Sequence, residues 1–219
     1  QNLASQLAPL ALAPQPGEMV LDLAAAPGGK TCQMAALMDN QGWLSAVEPV
    51  RDRYFRLKHN LDQQGVSIAH CYQKDGRAVG ALTPERFDRV LLDAPCSSEA
   101  RFDLNDPDSM AHWSPGKVRE VAHKQKRLLL SAIHALKPGG VLVYSTCSFA
   151  PEENECIVHA ALHKLGDAVE VTPVDIPVLH QPGLTEWDGK TLNPQLAHSV
   201  RVLPDSLVDG FYLARLVKQ

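Results

Sequence analysis

The fold of this chain is decided by the stretch Val20-Leu21-Asp22-Leu23-Ala24-Ala25-Ala26-Pro27-Gly28-Gly29-Lys30-Thr31. A short apolar run of β-forming residues passes into small residues and two glycines, and a helical pattern follows. This order predicts a strand, a tight turn and a helix. Glycines let a ligand approach the main chain closely, and the N–H groups that open a helix point toward it. In an open α/β sheet, a nucleotide-like cofactor binds at such a turn.

Several ligands compete for this turn. The dinucleotide fingerprint G-x-G-x-x-G is absent. Gly29-Lys30-Thr31 supplies the end of a Walker A motif, but its first glycine is replaced by Ala24. Because Val90–Asp93 resembles a Walker B strand, a P-loop phosphohydrolase stays an alternative. S-adenosyl-L-methionine carries no phosphate and needs a close backbone turn with acidic residues beside it. A plain turn without a ligand is the simplest alternative, since glycine-rich turns are common.

Length and composition narrow the class of protein. The 219 residues are enough for one α/β domain, and the net charge of −4 gives no global signature of nucleic-acid binding. No apolar run reaches the length of about 18 residues that a membrane span needs. The five cysteines lack C-x-x-C spacing, which favours a reducing, cytoplasmic location. The chain begins at Gln1 without Met. We therefore interpret residues 1–219 as one domain of a fragment whose N-terminal part is not included.

Predicted strands and helices alternate along the chain. The predicted strands are Met19–Leu23, Trp43–Val47, Ser67–Tyr72, Phe87–Leu92, Val141–Tyr144 and Gly210–Val217. The predicted helices are residues 1–14, Lys30–Met38, Arg51–Gln64, a long helix after Ser114, and Glu152–Leu165. Residues 99–113 and 173–200 have no clear periodicity, and the first of these loops is long enough to suggest a lid or binding loop. The alternation predicts a mostly parallel sheet with helices on both faces, which binds ligands at the carboxyl ends of its strands.

Two acidic residues follow predicted strands at this edge. Glu48 lies at about the distance from the glycine turn, roughly 20 residues, at which such sheets bind ribose hydroxyls. It could equally cap the next helix, which starts near Pro49. Asp75 is a candidate partner for an adenine amino group, although Asp-Gly is also a common turn.

Cys96 and Cys147 each follow a predicted core strand, and both should face the same crevice. Buried free cysteines most often act as small apolar residues, but these two lie in polar turns. A thiolate can attack the electron-poor carbon 6 of a pyrimidine, which makes carbon 5 able to accept a methyl group. Asp93 is placed to share a proton with N3 of the base. The spacing does not rank the two thiols.

At these residues the chain resembles the Sun/Nop2 (NSUN) family of RNA cytosine-C5 methyltransferases. The matching segments are Ala25–Thr31, Asp93–Ser97 and Ser145–Ser148, with weaker matches at Gln1–Ser5 and Asp209–Ala214. The resemblance implies a Rossmann-like class I methyltransferase fold, an α/β fold with a seven-stranded, mostly parallel sheet whose last strand is antiparallel. It also implies methyl transfer from S-adenosyl-L-methionine to a cytosine in rRNA or tRNA. Residues 1–219 would then be the catalytic domain, without the N-terminal RNA-binding part that family members usually carry.

The resemblance further assigns residues to roles. Cys147 would be the nucleophile, Cys96 would assist product release, and Lys30 would reach into the active site beside Asp93. The cofactor would be held by Ala24, Ala25, Ala26, Pro27, Gly28, Gly29, Lys30, Glu48, Asp75 and Asp93. One position departs from the family, which usually has glycine where this chain has Ser98. The loop after Cys96 is therefore expected to follow a different backbone path.

Partners follow from the same resemblance. The target cytosine should be unpaired or flipped out, because its carbon 6 must be exposed. A basic stretch opens the long helix and could be a phosphate contact or a solvated face: Lys117, Arg119, His123, Lys124, Lys126 and Arg127. We expect a monomer that binds neither DNA nor a membrane. Cys156, His159 and His163 share a helix face, but an ordinary surface is favoured over zinc, and we expect no metal. A non-catalytic RNA-binding protein with this fold is a further alternative.

Overall fold

The computed structural model describes residues 2–103 and 105–219. Gln1 of the weak N-terminal match and Leu104 of the predicted loop lie outside the described residues. Within the described part, the α-helices are α1 Leu3–Leu12, α2 Gly29–Leu37, α3 Arg51–Gln63, α4 Val79–Leu82, α5 Pro115–Ala135 and α6 Glu155–Leu165. None of these helices is long and apolar enough to cross a membrane.

The strands build one large sheet and a small hairpin. They are β1 Met19–Asp22, β2 Trp43–Val47, β3 Ala69–Tyr72, β4 Phe87–Asp93, β5 Leu136–Thr146, β6 Val169–Thr172, β7 His180–Pro182, β8 Glu186–Trp187, β9 Lys190–Thr191, β10 Val200–Val202 and β11 Phe211–Lys218. In the described residues the large sheet has the order β3-β2-β1-β4-β5-β11-β10-β7, and β6 also pairs with β11. The strands β1 to β5 are parallel, and β11 runs antiparallel to β5.

The predicted fold class is confirmed, and the strand count differs. The described part of the large sheet has nine strands where seven were expected. The outer edge of β11 is shared, since β10 pairs with its first half and β6 with its second half. The segment 173–200, predicted to be irregular, contains the short strand β7 and the β8–β9 hairpin. These strands are only two or three residues long, too short to show a period of two in the sequence.

Two element boundaries were also predicted incorrectly. The strand β5 begins at Leu136 rather than Val141, because the sheet continues through Lys137-Pro138-Gly139-Gly140. Gly139 allows this path, since its φ is 77°. The helix α6 begins at Glu155 rather than Glu152. The three residues before it lie in a turn, where Glu153 accepts a hydrogen bond from the N–H of Ser97.

The helices cover both faces of the sheet, as predicted. Alternate residues of a strand point to opposite faces, so Val20 packs into one cluster and Leu21 into the other. The first cluster also contains Met34 of α2 and Leu57 of α3, and the second contains Leu129 of α5. The two apolar layers fix the sheet between the helices and leave its carboxyl edge free for a cavity.

Candidate active site

A cavity of about 660 Å³ lies at the carboxyl ends of the parallel strands. One side of the cavity, which we call the turn side, is formed by the segment 23–30 with Glu48 and Asp75. The other side, which we call the thiol side, is formed by the segments 93–99 and 145–155. Of these two segments, the residues that lie on the cavity wall itself are Asp93, Ala94, Pro95, Cys96, Ser98 and Cys147. Of the predicted site residues, the wall includes Ala24, Ala25, Ala26, Pro27, Gly29, Lys30, Glu48, Asp75, Asp93, Cys96 and Cys147.

Gly28 is the one predicted site residue that the described cavity wall does not include. It precedes α2 with a φ of 109°, a conformation that favours glycine. A side chain there would meet Leu57, whose Cδ1 atom lies 3.0 Å from the position of a Cβ. Gly28 therefore sets the backbone path of the turn on the side that packs against α3 and not on the side that faces the cavity.

The two predicted thiols meet on the thiol side. They follow β4 and β5, which are neighbours with Asp93 opposite Ser145, and their sulfur atoms lie 3.3 Å apart. The hydrogen bond from Cys96 lowers the pKa of Cys147 to about 7. The same contact, together with burial, raises the pKa of Cys96. This contact therefore favours the thiolate form of Cys147 over that of Cys96. The nucleophile that the resemblance assigns is the same residue, and that role stays a prediction.

Lys30 joins the two sides of the cavity. Its ammonium group lies 2.7 Å from the carboxylate of Asp93 and donates to the hydroxyl of Ser5 at 2.5 Å. It also lies over the ring of Phe211, 5.9 Å from the centroid. Asp93 accepts a second hydrogen bond from Ser145 at 2.9 Å. Ser5 and Phe211 belong to the two segments that match the family weakly. Those matches pointed to these two segments but did not predict their contacts with Lys30.

Glu153 holds the thiol side together, and sequence analysis missed it. Its side chain is fully buried. It accepts hydrogen bonds from the backbone N–H of Ser97 at 2.9 Å, the amide of Gln125 at 2.9 Å and the hydroxyl of Ser148 at 3.1 Å. The carboxylate thus connects both cysteine-bearing segments to α5. It was missed because it falls inside the predicted helix Glu152–Leu165, where an acidic residue attracts no attention.

The acidic residues of the turn side are already engaged with arginine or with backbone. Glu48 is 2% exposed, accepts from the N–H of Val50 at 2.9 Å and lies 3.6 Å from Arg53. The N-cap of helix α3 is Val50, so Glu48 does not cap the helix but holds its N-cap residue. The ribose role of Glu48 stays a prediction. Asp75 accepts from the N–H of Arg77 at 2.9 Å, and the guanidinium of Arg77 lowers the pKa of Asp75 to about 2. Its adenine role likewise stays a prediction.

Asp22 is a further acidic residue on the cavity wall that the sequence analysis did not select. It is 1% exposed and accepts a hydrogen bond from Thr31 at 2.7 Å. Burial raises its pKa to about 6, although the Thr31 bond acts in the opposite direction. An aspartate inside an apolar strand was the signal that could have identified it.

Two surface predictions have partial outcomes. Of the basic stretch, Lys124 lies on the cavity wall, whereas Lys117 pairs with Glu120 at 3.1 Å on the exposed helix face. Among Cys156, His159 and His163, for which zinc was the less favoured interpretation, His159 accepts a hydrogen bond from the backbone N–H of Asn193 at 3.0 Å. This use of the ring nitrogen fits the favoured interpretation of an ordinary helix surface.

The known proteins that are similar to this chain include one described family, curated relatives and solved structures. The model of the family described as 16S rRNA methyltransferase RsmB/F matches residues 9–217. The chain belongs to this family. The predicted resemblance is thereby confirmed, and the P-loop phosphohydrolase is ruled out as the class of protein.

Curated relatives in this family are named as RNA methyltransferases. The tRNA (cytosine(49)-C(5))-methyltransferase of Pyrococcus abyssi is 43% identical over 219 residues, which is all of this chain and 69% of that protein. The ribosomal RNA small subunit methyltransferase F of Serratia proteamaculans is 44% identical over 200 residues, 91% of this chain and 40% of that protein. The chain thus spans less than half of the second relative.

Solved structures agree with the family and the fold. A methyltransferase homolog from Pyrococcus horikoshii has a TM-score of 0.86 at 36% identity, covering 100% of this chain and 67% of that one. NSun6 from Pyrococcus horikoshii, solved with SFG, has a TM-score of 0.83 at 30% identity, covering 100% of this chain and 52% of that one. TrmN from Thermus thermophilus, at 19% identity and a TM-score of 0.60, supports the fold alone.

Proposed function

We propose that this RsmB/F-family chain transfers a methyl group from S-adenosyl-L-methionine to carbon 5 of a cytosine in RNA, through a covalent bond between Cys147 and carbon 6. The observation that carries the proposal is the thiol pair, whose sulfur atoms are 3.3 Å apart. Both cysteines lie on the wall of the same cavity as the glycine turn and the Lys30–Asp93 ion pair.

The turn side has the features that the cofactor needs. The small residues Ala24 to Ala26 bring backbone to the cavity wall, and Glu48 places a buried carboxylate beside it. A carboxylate suits ribose hydroxyls, and Asp75 lies on the same wall for the adenine end. When bound, the cofactor supplies an electrophilic methyl group on a sulfonium. Asp93 and the alanine backbone would hold its amino-acid end near the thiols.

The thiol side supplies the covalent chemistry. The Cys147 thiolate adds to carbon 6 of the cytosine, and its electron pair moves the ring electrons toward carbon 5 and N3. Asp93, held by Lys30 and Ser145, would share a proton supplied by the Lys30 ammonium with N3 while this charge exists, and the proton would return to the pair afterwards. Carbon 5 then forms its bond to the methyl group as the bond between methyl and sulfonium sulfur breaks, which leaves a thioether. Carbon 5 later loses its proton to water in the cavity. The return of those electrons expels Cys147 as thiolate, and Cys96 assists this release.

RNA as the substrate class rests on the relatives, two of which are named for tRNA and ribosomal RNA. Carbon 6 of a paired, stacked cytosine is out of reach, so the base enters unpaired or flipped out. The five free cysteines suit a reducing compartment, and we place the chain in the cytoplasm, acting as a monomer. RNA capture would also need the part of the longer relatives that this chain does not span.

The test uses total RNA and methyl-labelled S-adenosyl-L-methionine with wild type, Cys147→Ala and Cys96→Ala. We expect 5-methylcytosine from wild type and none from Cys147→Ala, a loss of at least about 10⁴-fold for removal of a nucleophile. Cys96→Ala should accumulate a protein–RNA adduct that survives denaturation. Cys156→Ala is the matched control, because that thiol lies on α6, outside the cavity wall.

Two outcomes contradict the proposal. If Cys147→Ala retains transfer, the covalent role belongs to another group. If wild type binds the cofactor but a longer protein containing this chain also transfers nothing to RNA, the chain is a binding module. In that case the non-catalytic alternative is correct.

A further inference from the structure

Ser98 has a backbone conformation that is unusual for a residue with a side chain. Its φ is 61° and its ψ is 33°, in the left-handed region. Glycine enters this region freely, whereas other residues are disfavoured there by contact between Cβ and the backbone. The position therefore retains serine although glycine fits its backbone better, which points to a use for the hydroxyl group.

The hydroxyl of Ser98 contacts both thiols. The thiol of Cys147 donates to the Ser98 Oγ atom at 3.7 Å, and Oγ lies 3.9 Å from the sulfur of Cys96. Both distances are within the range of hydrogen bonds to sulfur. Once Cys147 is a thiolate it has no hydrogen to donate, so the same contact can run only from the hydroxyl to the sulfur. The loop that carries Ser98 is fixed to the other cysteine segment, since the N–H of Ala100 donates to the carbonyl of Cys147 at 3.0 Å. The three side chains thus form one small cluster on the cavity wall.

We propose that Ser98 is a positioning residue that donates its hydroxyl hydrogen to whichever of the two thiols carries negative charge. A hydroxyl has one hydrogen to donate, and its rotation between two sulfurs needs no backbone movement. It would first stabilise the Cys147 thiolate before attack and would then be free for Cys96 during product release. The catalytic role of Ser98 rests on the proposed function, whereas its hydrogen bond to the Cys147 thiolate is a property of the protein without RNA or cofactor.

The charges around Cys147 favour this use of the hydroxyl. The contacts with Cys96 and then with Ser98 lower the pKa of Cys147, whereas burial and the nearby carboxylate of Asp93 raise it. Arg101 lowers it slightly, and Lys30 is occupied by its ion pair with Asp93. Since the ammonium of Lys30 is paired and Arg101 contributes least, the hydroxyl is the short-range donor that favours the thiolate form of Cys147.

The test measures the pH dependence of Cys147 alkylation by iodoacetamide, with the modified residue assigned by peptide mass spectrometry. It compares wild type with Ser98→Ala and Ser98→Gly, both of which lack the hydroxyl. We expect both variants to shift the midpoint upward by about one pH unit, since a lost hydrogen bond destabilises the charged form. At pH 7 this corresponds to a roughly fivefold slower alkylation. Ser67→Ala, an exposed serine before β3, is the control and should not shift.

The two variants separate a hydroxyl effect from a backbone effect. Ser98→Gly relieves the left-handed backbone, so a merely structural role predicts that it retains the wild-type midpoint. A shift in Ser98→Ala alone, or in neither variant, overturns the inference. Because alkylation needs no RNA, a shift in both variants supports the inference even if methyl transfer to RNA is never detected, which would count against the proposed function alone.

Discussion

On the turn side of the cavity, main-chain atoms and small residues form most of the wall. Two carboxylates there, Glu48 and Asp75, contact arginines that solvent reaches, and a third, Asp22, is buried at its base. On the thiol side, buried polar groups fix each segment, with Glu153 accepting three hydrogen bonds out of contact with water. A cofactor that binds and leaves needs groups that can exchange partners. A cysteine that forms and breaks a covalent bond must return to one position, and a buried hydrogen-bond network provides that rigidity.

Removal of the buried carboxylate of Glu153 should have the largest effect on stability and on methyl transfer. It should affect the thiol side much more than cofactor binding on the turn side. Glu153→Ala leaves the buried N–H of Ser97 without an acceptor and removes one of the two acceptors of the Gln125 amide, which still donates to the carbonyl of Pro95. We expect a loss of about 3–5 kcal/mol in the free energy of unfolding, measured with urea. Methyl transfer should fall sharply, while affinity for S-adenosylhomocysteine changes less than about threefold. Glu152→Ala, the exposed neighbour, is the control. Equal losses of cofactor affinity and transfer would show that the two sides are not independent.

The carboxyl of Asp22 tests the base of the turn side through pH. Its pKa is raised from 3.8 to about 6 in the folded state, so the folded protein binds more protons than the unfolded chain between these values. Stability from this group is therefore fully present below about pH 4 and is lost as pH rises through 6. The shift corresponds to roughly 3 kcal/mol.

The variant Asp22→Asn has no such titration and can still accept the hydrogen bond of Thr31. We therefore expect its unfolding free energy, relative to wild type, to increase by roughly 3 kcal/mol between pH 4 and pH 7. Urea unfolding at several pH values measures this difference. A difference that is constant with pH would contradict the raised pKa.

A change at Glu48 should affect cofactor binding on the turn side and leave the thiol side unchanged. Glu48→Gln keeps the size of the side chain and removes its charge, so bonds from ribose hydroxyls weaken. We expect about 10–100-fold weaker binding of S-adenosylhomocysteine by calorimetry, corresponding to the 1.5–3 kcal/mol of charged hydrogen bonds. The rate at saturating cofactor and the alkylation of Cys147 should be unchanged. Asp52→Asn, on the exposed first turn of α3, is the control. Unchanged affinity would remove the ribose assignment.

The smallest effect concerns the stability of Ser98→Gly. Glycine relieves the left-handed backbone but loses more conformational entropy on folding. We expect a net gain of about 0.5–1 kcal/mol, seen as a melting temperature about 2–4 °C higher at most. Ser98→Ala should show no gain, because alanine is disfavoured in this conformation like serine. Equal stability of the two variants would show that the loop moves to relieve the contact.

The convergence of the site could be predicted because it depends on topology. Once a parallel sheet is inferred, Cys96 and Cys147 must both lie at its carboxyl edge, as must the glycine turn. The contacts that fix them could not be predicted. Glu153 acts through Ser97 and Gln125, which are 56 and 28 residues away in the chain, and no local pattern records such a pair.

The conformation of Ser98 marks a similar limit. The sequence predicted a departure in the loop, since serine replaces the usual glycine of the family. In the structure Ser98 has a left-handed conformation, which favours glycine and is strained for serine. That the loop path differs from that of the family stays a prediction. Likewise, β7 and β10 are three residues each, and their pairing is set by neighbouring strands rather than by their own composition.

The end of the sheet at β7 affects how the molecules behave toward one another. An exposed edge strand offers free N–H and carbonyl groups that can pair with the same edge of another copy. Here the edge has only three residues, all exposed, and it ends at Pro182, which has no N–H to donate. Such an edge gives a foreign strand little to extend. At this edge, the added strands therefore do not create a template for aggregation.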